Sequence, residues 1–259
     1  MACAKVVIFD YIGTLVNCKN YTMDASREKL HSALVNEGFD VAKDKFLEAY
    51  IEAHEKYRKI RYEQLREVTN AVWVAEALSN LGFKVTANDY RIKAALNVFF
   101  KDFIDTLELR LGAKKLIQQA AEQCKVALIS NFTHAPVIYK SLRKTGISEF
   151  FNAVVVSEEN GWRKPSTHIF QDALKRLQVE ANEALYIGDS PLEDIKGAKQ
   201  AGLKTIFVVS QFYTLKDLLE SHQKPDFIAK TLTTITQKLK QILFQKDNNH
   251  RNQVEFYED

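Results

Sequence analysis

The sequence predicts an α/β protein: a doubly wound parallel sheet with an all-helical insertion after its first strand. Short, continuously apolar runs recur at residues 5–10, 125–131, 153–156, 184–189 and 204–209. Segments with apolar residues at helical spacing lie between the later runs, which is the βαβ order of a parallel sheet. The block from residue 17 to 108 holds no convincing strand, only long charged amphipathic stretches. Strands that are apolar throughout, rather than alternating, suit a sheet covered on both faces.

The first strand is read in residues 5–10, where Val6-Val7-Ile8-Phe9 closes on Asp10 and is followed by Tyr11-Ile12-Gly13-Thr14. In the insertion, Phe46, Tyr50, Ala53 and Tyr57 recur every three to four residues and share one helix face. Trp73, Ala77 and Leu81 do the same, as do Leu96, Phe99 and Phe103. Thr86-Ala87-Asn88-Asp89 offers a helix start. These aromatics are read as the insertion's own core. Helices are expected at 112–123, 134–145, 166–177 and 191–201, alternating with strands KVALISN, AVVV, ALYIGD and KTIFVV. A short sixth strand is expected at 226–229. The chain therefore divides into an α/β core of residues 1–16 and 109–245 and a helical insertion of residues 17–108. Residues 246–259 are polar and unpatterned and read as a flexible tail.

The chain has 259 residues, 46% of them hydrophobic, enough for one sizeable core plus a smaller appended domain. Its 36 basic and 33 acidic residues leave a net charge of +3, with the basic residues spread along the chain. That balance points away from nucleic acid or an anionic membrane as the main partner. No apolar stretch approaches the roughly 18 residues that span a bilayer. Lys5 and Asp10 interrupt the N-terminal apolar run, so it does not read as a signal peptide. Cys3, Cys18 and Cys124 lack metal-type spacing, and an odd count fits a reducing compartment. The expectation is a soluble, cytoplasmic protein, and the sequence carries no signal of oligomeric state.

In an open parallel sheet, ligands bind at the carboxyl ends of the strands. The first strand ends in Asp10 and the second in Ser130-Asn131. Gly161-Trp162-Arg163-Lys164-Pro165 follows the third, and the fourth runs into Gly188-Asp189-Ser190-Pro191-Leu192-Glu193-Asp194. Each group has an ordinary reading on its own. A strand-end Asp caps a helix or turns the chain, Ser-Asn marks a turn, Lys164 is a solvated charge, and Asp194 favours a helix N-terminus. Together, a carboxylate, a hydroxyl, an ammonium and a carboxylate pair converge on one edge and describe a site. Trp162 and Arg163 flank the lysine and face the insertion. Arg61 and Arg66 read first as the solvated face of a charged helix and second as a reach toward an anionic substrate. His134 reads first as a polar residue at a helix start and second as a ligand contact.

In this order, the four segments resemble the four motifs of the haloacid dehalogenase-like (HAD) hydrolase superfamily. The resemblance covers residues 5–210, and the insertion is similar to the helical cap between the first and second motifs. GDSPLEDIKGAKQAGL is the most specific segment, while FDYIGTL departs at one position. The resemblance implies a Rossmann-like core in which Asp10 attacks phosphorus and forms an aspartyl-phosphate, splitting one hard step into two. It implies Mg²⁺ held by Asp10, Asp189 and the backbone carbonyl of Ile12. Asp194 completes the acidic set and orients a water or Lys164. Ser130 and the amide of Asn131 would donate to phosphate oxygens, with Gly13 and Thr14 in the turn beside them. Lys164 would balance the developing charge. The substrate implied is a small phosphorylated molecule.

Family phosphatases resemble one another in placing a second Asp two residues after the nucleophile, for proton transfer. Isoleucine cannot do this, and losing such a group costs about 10²–10⁴ in rate, or roughly 3–5 kcal/mol. One reading is a phosphohydrolase limited to leaving groups that need little protonation, such as acyl or aryl phosphates, or one whose acid is supplied by water, substrate or cap. A second is a 2-haloacid dehalogenase, since halide leaves without a proton. Those members resemble Asp-x-Tyr-Gly-Thr and need no Mg²⁺, whereas Tyr11 stands one position early and Gly188-Asp189 is retained. Dehalogenation therefore ranks below phosphoryl transfer. A third reading is a catalytically weak, regulatory protein that binds metal and phosphate.

Overall fold

The computed structural model describes residues 4–244 and 255–257. β1 (Val6–Phe9) is fully buried. A tight turn leads to β2 (Val16–Cys18), and the chain then leaves the core through five helices. These are α1 (Met23–Asn36), α2 (Lys43–Gln64), α3 (Asn70–Asn80), α4 (Tyr90–Phe99) and α5 (Lys101–Thr106). The chain returns through β3 (Leu107–Leu109), which pairs antiparallel with β2. This pair corrects the expectation that residues 17–108 hold no strand. Each strand has three residues, too few to show a period, and its partner lies on the far side of the insertion.

The insertion has its own apolar cluster, built on Phe46, Tyr50, Trp73, Leu78, Leu96 and Phe99. Tyr57, Leu81 and Phe103 pack at its margin. Helical spacing placed these residues on shared faces because one turn of helix takes 3.6 residues. Asp89 caps α4 as its motif suggests, accepting from the Arg91 backbone N–H at 2.9 Å.

The core continues with α6 (Ala113–Ala121), β4 (Lys125–Ser130), α7 (Ala135–Lys144), β5 (Ala153–Val156), α8 (Ser157–Asn160) and α9 (Thr167–Leu177). Next come β6 (Ala184–Gly188), a π-helical turn over Pro191–Lys196, α10 (Gly197–Gln200) and β7 (Lys204–Val208). α11 (Leu215–Glu220), β8 (Phe227–Ala229), α12 (Leu232–Phe244) and β9 (Glu255–Tyr257) complete it. The sheet order is β5-β4-β1-β6-β7-β8-β9, and every pairing is parallel. Of the tail expected at 246–259, Glu255–Tyr257 add the edge strand β9; its other residues, and Cys3, lie outside the described residues.

Both faces of the sheet are covered, which explains the unbroken apolar strands. Val7, Phe9, Leu128 and Ile187 pack with α6, α7 and α12. Ile8, Ile129 and Tyr186 pack on the other face with α9 and α10. β1 sits between β4 and β6, where the strand order reverses. A crevice opens at the carboxyl ends of strands at such a reversal, and that is where Asp10 stands. Among the described residues, no helix is long and apolar enough to cross a membrane.

Candidate active site

Strand register brings the sequence motifs together. Phe9 is level with Leu128 of β4 and Ile187 of β6, and the Asp10 N–H donates to Ile187 O at 2.9 Å. Asp10, Ser130 and Asp189 therefore emerge within a residue or two of one another. All three are buried, as are Lys164 and Asp194. Lys164 Nζ donates to Asp10 Oδ1 at 2.7 Å and to Asp194 Oδ1 at 2.6 Å. Tyr186 Oη lies 3.0 Å from the same ammonium and donates to Asp194 Oδ1 at 2.8 Å. Tyr186 was read only as part of an apolar strand, and nothing in that run distinguishes it.

The π-helical turn curls Asp194 back beneath Gly188. Its Oδ2 accepts from the backbone N–H groups of Asp189 (3.1 Å) and Ser190 (2.9 Å). A Cβ on Gly188 would sit 2.5 Å from Asp194 Cγ, so only glycine fits. Gly13 is constrained twice: its φ is +101°, and a Cβ there would lie 2.3 Å from Asp189 Oδ2. Thr14 Oγ1 donates to Asp189 Oδ1 at 3.1 Å, and Ser210 Oγ to Asp189 Oδ2 at 2.6 Å. Ser210 was missed, although it follows β7 and the strand-end rule applies there too. Arg110 was missed as well. It ties two strand-end loops, donating to Gly13 O at 2.5 Å and to Val209 O at 2.6 Å.

The Asn131 side chain holds the lysine loop. Its Oδ1 accepts from the Lys164 N–H at 2.7 Å, and its Nδ2 donates to Lys164 O and to Glu193 Oε2, both at 3.0 Å. Ile12 lies in a turn whose hydrogen bonds run to Tyr11 O and Val16 O rather than to Ile12 O. Its side chain packs against the sheet's apolar cluster. Tyr11 is fully buried in the same cluster.

Asp10, Asp189 and Asp194 each offer an oxygen, and these oxygens lie within 4.8 Å of one another. Asp10 Oδ2 is buried without a hydrogen-bond partner. Burial pushes the Asp10 carboxyl up to about 6, with Lys164 opposing and Asp194 adding to the rise. Burial, then Asp10 and Asp194, push Asp189 up to about 8. Burial pulls the Lys164 ammonium down, but Asp10 and Asp194 outweigh it and hold the group well above its ordinary value. Three carboxylates against one ammonium give the ionised cluster two excess negative charges. The hard oxygen donors and the orphaned Asp10 oxygen fit a small divalent cation such as Mg²⁺.

The family model of haloacid dehalogenase-like hydrolases matches residues 4–202. The chain belongs to this family. It is 26% identical over 251 residues to the glyceraldehyde 3-phosphate phosphatase of Methanocaldococcus jannaschii, covering 92% of this chain and 98% of that protein. It is 39% identical over 89 residues to the enzyme of the same name from Methanopyrus kandleri, covering 34% and 38%. It is 35% identical over 112 residues to haloacid dehalogenase-like hydrolase domain-containing protein 3 of Bos taurus, covering 42% and 44%. The last two matches thus span less than half of those relatives. The 2-haloacid dehalogenase of Pseudomonas syringae shares the fold with a TM-score of 0.68 at 21% identity, covering 92% of this chain and 99% of that one. The HAD-hydrolase YfnB of Bacillus subtilis, in a structure bound to magnesium, matches with a TM-score of 0.54 at 21% identity over 94% and 100% of the two chains.

In this HAD-like hydrolase the insertion reaches back over the site. Arg163 N–H donates to Leu65 O and Glu67 N–H to Gly161 O, each at 3.0 Å. The Arg66 guanidinium lies 3.8 Å from the Trp162 ring centroid. The buried Glu67 carboxylate accepts from Arg61 Nε at 2.6 Å and from Ser157 Oγ, and faces Arg163 Nη1 at 3.6 Å. Arg61 is therefore not on a solvated face as expected. α2 ends at Gln64, Leu65 takes a left-handed φ of +54°, and the reversed chain places Glu67 against Arg61. Arg163 does face the insertion. Trp162 stacks on His168 at 4.2 Å beneath Arg66. His134 directly precedes α7 and stacks on Phe100 at 5.1 Å.

Proposed function

We propose that this HAD-like hydrolase is a Mg²⁺-dependent phosphohydrolase working through an aspartyl-phosphate on Asp10, restricted to leaving groups that depart with little acid help. One observation carries the reading. Asp10 has one oxygen held by Lys164 and the other buried and unpartnered, inside a cluster whose charge calls for a divalent cation. The phosphatase relative matched over 92% of this chain supports the same reaction class.

Asp10 attacks phosphorus through one carboxylate oxygen. The bond from phosphorus to the leaving oxygen breaks, the leaving group takes the electron pair, and solvent supplies its proton. Water then attacks the phosphorus, the bond to Asp10 breaks, a proton passes to solvent, and phosphate departs. Lys164 neutralises the nucleophile before attack and the phosphoryl oxygens during it. The Ser130 hydroxyl and the Asn131 backbone N–H donate to those oxygens, the Asn131 side chain being engaged with Lys164 and Glu193. Mg²⁺, held by Asp10, Asp189 and the Ile12 carbonyl with Asp194 behind them, would supply charge neutralisation between nucleophile and phosphoryl group. Ile12 can neither protonate a leaving alkoxide nor activate water.

The test is a panel of aryl, acyl and sugar phosphates, with and without Mg²⁺, beside Asp10→Asn. Turnover that needs both Mg²⁺ and Asp10, and favours aryl and acyl phosphates, is the expected result. No Asp10-dependent turnover on any of them would overturn the reading. Chloride release from 2-chloropropionate without metal would replace it with the dehalogenase reading. Phosphate and Mg²⁺ binding without turnover would replace it with the regulatory one.

A further inference from the structure

A cavity of ≈ 380 Å³ lies between the cap helices and the core. Its core side is lined by Asn131, Arg163 and Glu193, the immediate sequence neighbours of Ser130, Lys164 and Asp194, so it adjoins the site on the side away from the acidic cluster. Tyr50, Trp73, Phe100 and Phe132 give it aromatic walls. Such faces pack well against a flat apolar ring.

Its unpartnered buried polar groups have one character. The buried side-chain atoms of lining residues that lack a hydrogen-bond partner are all N–H donors, including Arg27 Nε and Arg163 Nε. A buried donor without an acceptor is costly, so the ligand supplies acceptors. The charge balance narrows them further. Arg27, Arg61 and Arg163 line the cavity, while the carboxylates set against them are Glu67 and Glu193. Asp24, which pairs with Arg27 Nη1 at 3.0 Å, has a side chain 91% exposed, so water screens it. Burial pushes the His54 pKa down, with Glu55 opposing and the nearby arginines adding to the fall. Arg27 thus has only a solvent-screened carboxylate against it, and its buried Nε has no acceptor, so an anionic acceptor fits there.

We propose that this cavity recognises the leaving group of an aryl phosphate whose ring carries a carboxylate. The ring lies among Tyr50, Trp73 and Phe100, and the carboxylate accepts from Arg27 and Arg163. The inference rests on the phosphohydrolase reading of Asp10 and gives it a substrate class. It also agrees with Ile12, because a phenol leaves as its anion more readily than an alcohol does. Asp10 displaces the phenolate, which takes the electron pair of the broken P–O bond and a proton from solvent.

Hydrolysis of 3- and 4-carboxyphenyl phosphate is compared with that of phenyl phosphate, with Mg²⁺. At least one carboxylated substrate should have a kcat/KM about tenfold higher or more, expressed mainly in KM. Arg27→Gln should bring that ratio toward unity. In parallel, 3- and 4-hydroxybenzoate are titrated against the metal-free protein, following tryptophan fluorescence, with phenol as the comparison. Binding tighter than phenol that is lost in Arg27→Gln supports the assignment, even if Asp10-dependent turnover is absent and the phosphohydrolase reading falls. Hydroxybenzoates binding no better than phenol, or wild-type kcat/KM ratios of one, would overturn the assignment while leaving that reading intact.

Discussion

Ile12 is the residue where the chemistry of the site is most constrained. Its backbone keeps the turn that carries Gly13 and Thr14 to Asp189, while its side chain joins the apolar cluster. Ile12→Asp should therefore raise kcat for an alkyl phosphate at least tenfold, within the roughly 10²–10⁴ range of general acid–base catalysis. An aryl phosphate should gain less. Initial rates on the two substrates with Mg²⁺ check this, and an unchanged alkyl rate would show that proton transfer is not limiting. His134 has a separate consequence. Burial pushes its pKa down to about 4, and Nε2 has no hydrogen-bond partner. The unfolded chain titrates near 6.5, so below that pH it takes up a proton that the folded protein refuses. The contribution of His134 to stability should fall as pH drops from about 6.5 to 4, by up to about 1.4 kcal/mol per pH unit, while the raised carboxyls of Asp10 and Asp189 act in the opposite direction over that window. His134→Phe, which keeps a ring against Phe100, should remove that contribution, read as a wild-type-minus-variant stability difference that shrinks as pH falls from about 6.5 to 4 in urea denaturation.

At the scale of elements, the segment that follows α2 couples cap to core. Glu67 sits between Arg61 and Arg163, and Arg163 is the neighbour of Lys164. Removing one partner of a buried ion pair strands the others without compensation. Glu67→Ala should cost about 3 kcal/mol or more in urea unfolding and should lower turnover by loosening the lysine loop. The core strands and helices were legible because their apolar runs and helical spacings are local signals. β2 and β3 were not, since three residues show no period and the pairing spans the whole insertion. The Glu67 cluster was not legible either. Nothing local joins residue 67 to residues 61, 157 and 163; the left-handed turn at Leu65 does.

For the whole molecule, the acidic cluster stores a preference for a cation that binding should release as stability. Mg²⁺ at about 100 times its Kd should add about 2.7 kcal/mol, or roughly 5–10 °C in Tm for a chain of this size. Asp189→Asn should abolish that shift, and thermal melts with and without Mg²⁺ read it directly. The absence of any shift in the wild type would count against a metal at this site.

The sequence by itself determined the parallel βαβ core, the helical insertion and the four strand-end groups Asp10, Ser130, Lys164 and Asp189, because each is written in contiguous residues. It also marked Ile12, since a departure from a motif is visible without coordinates. Only the tertiary structure decided which groups meet Asp189, which arginines turn inward, and what kind of cavity the cap encloses. Ser210 and Arg110 follow distant strands, and Arg27 comes from cap helix α1 and Arg163 from the core's lysine loop. Their meeting depends on how the layers pack, a long-range property that no local pattern in the chain encodes.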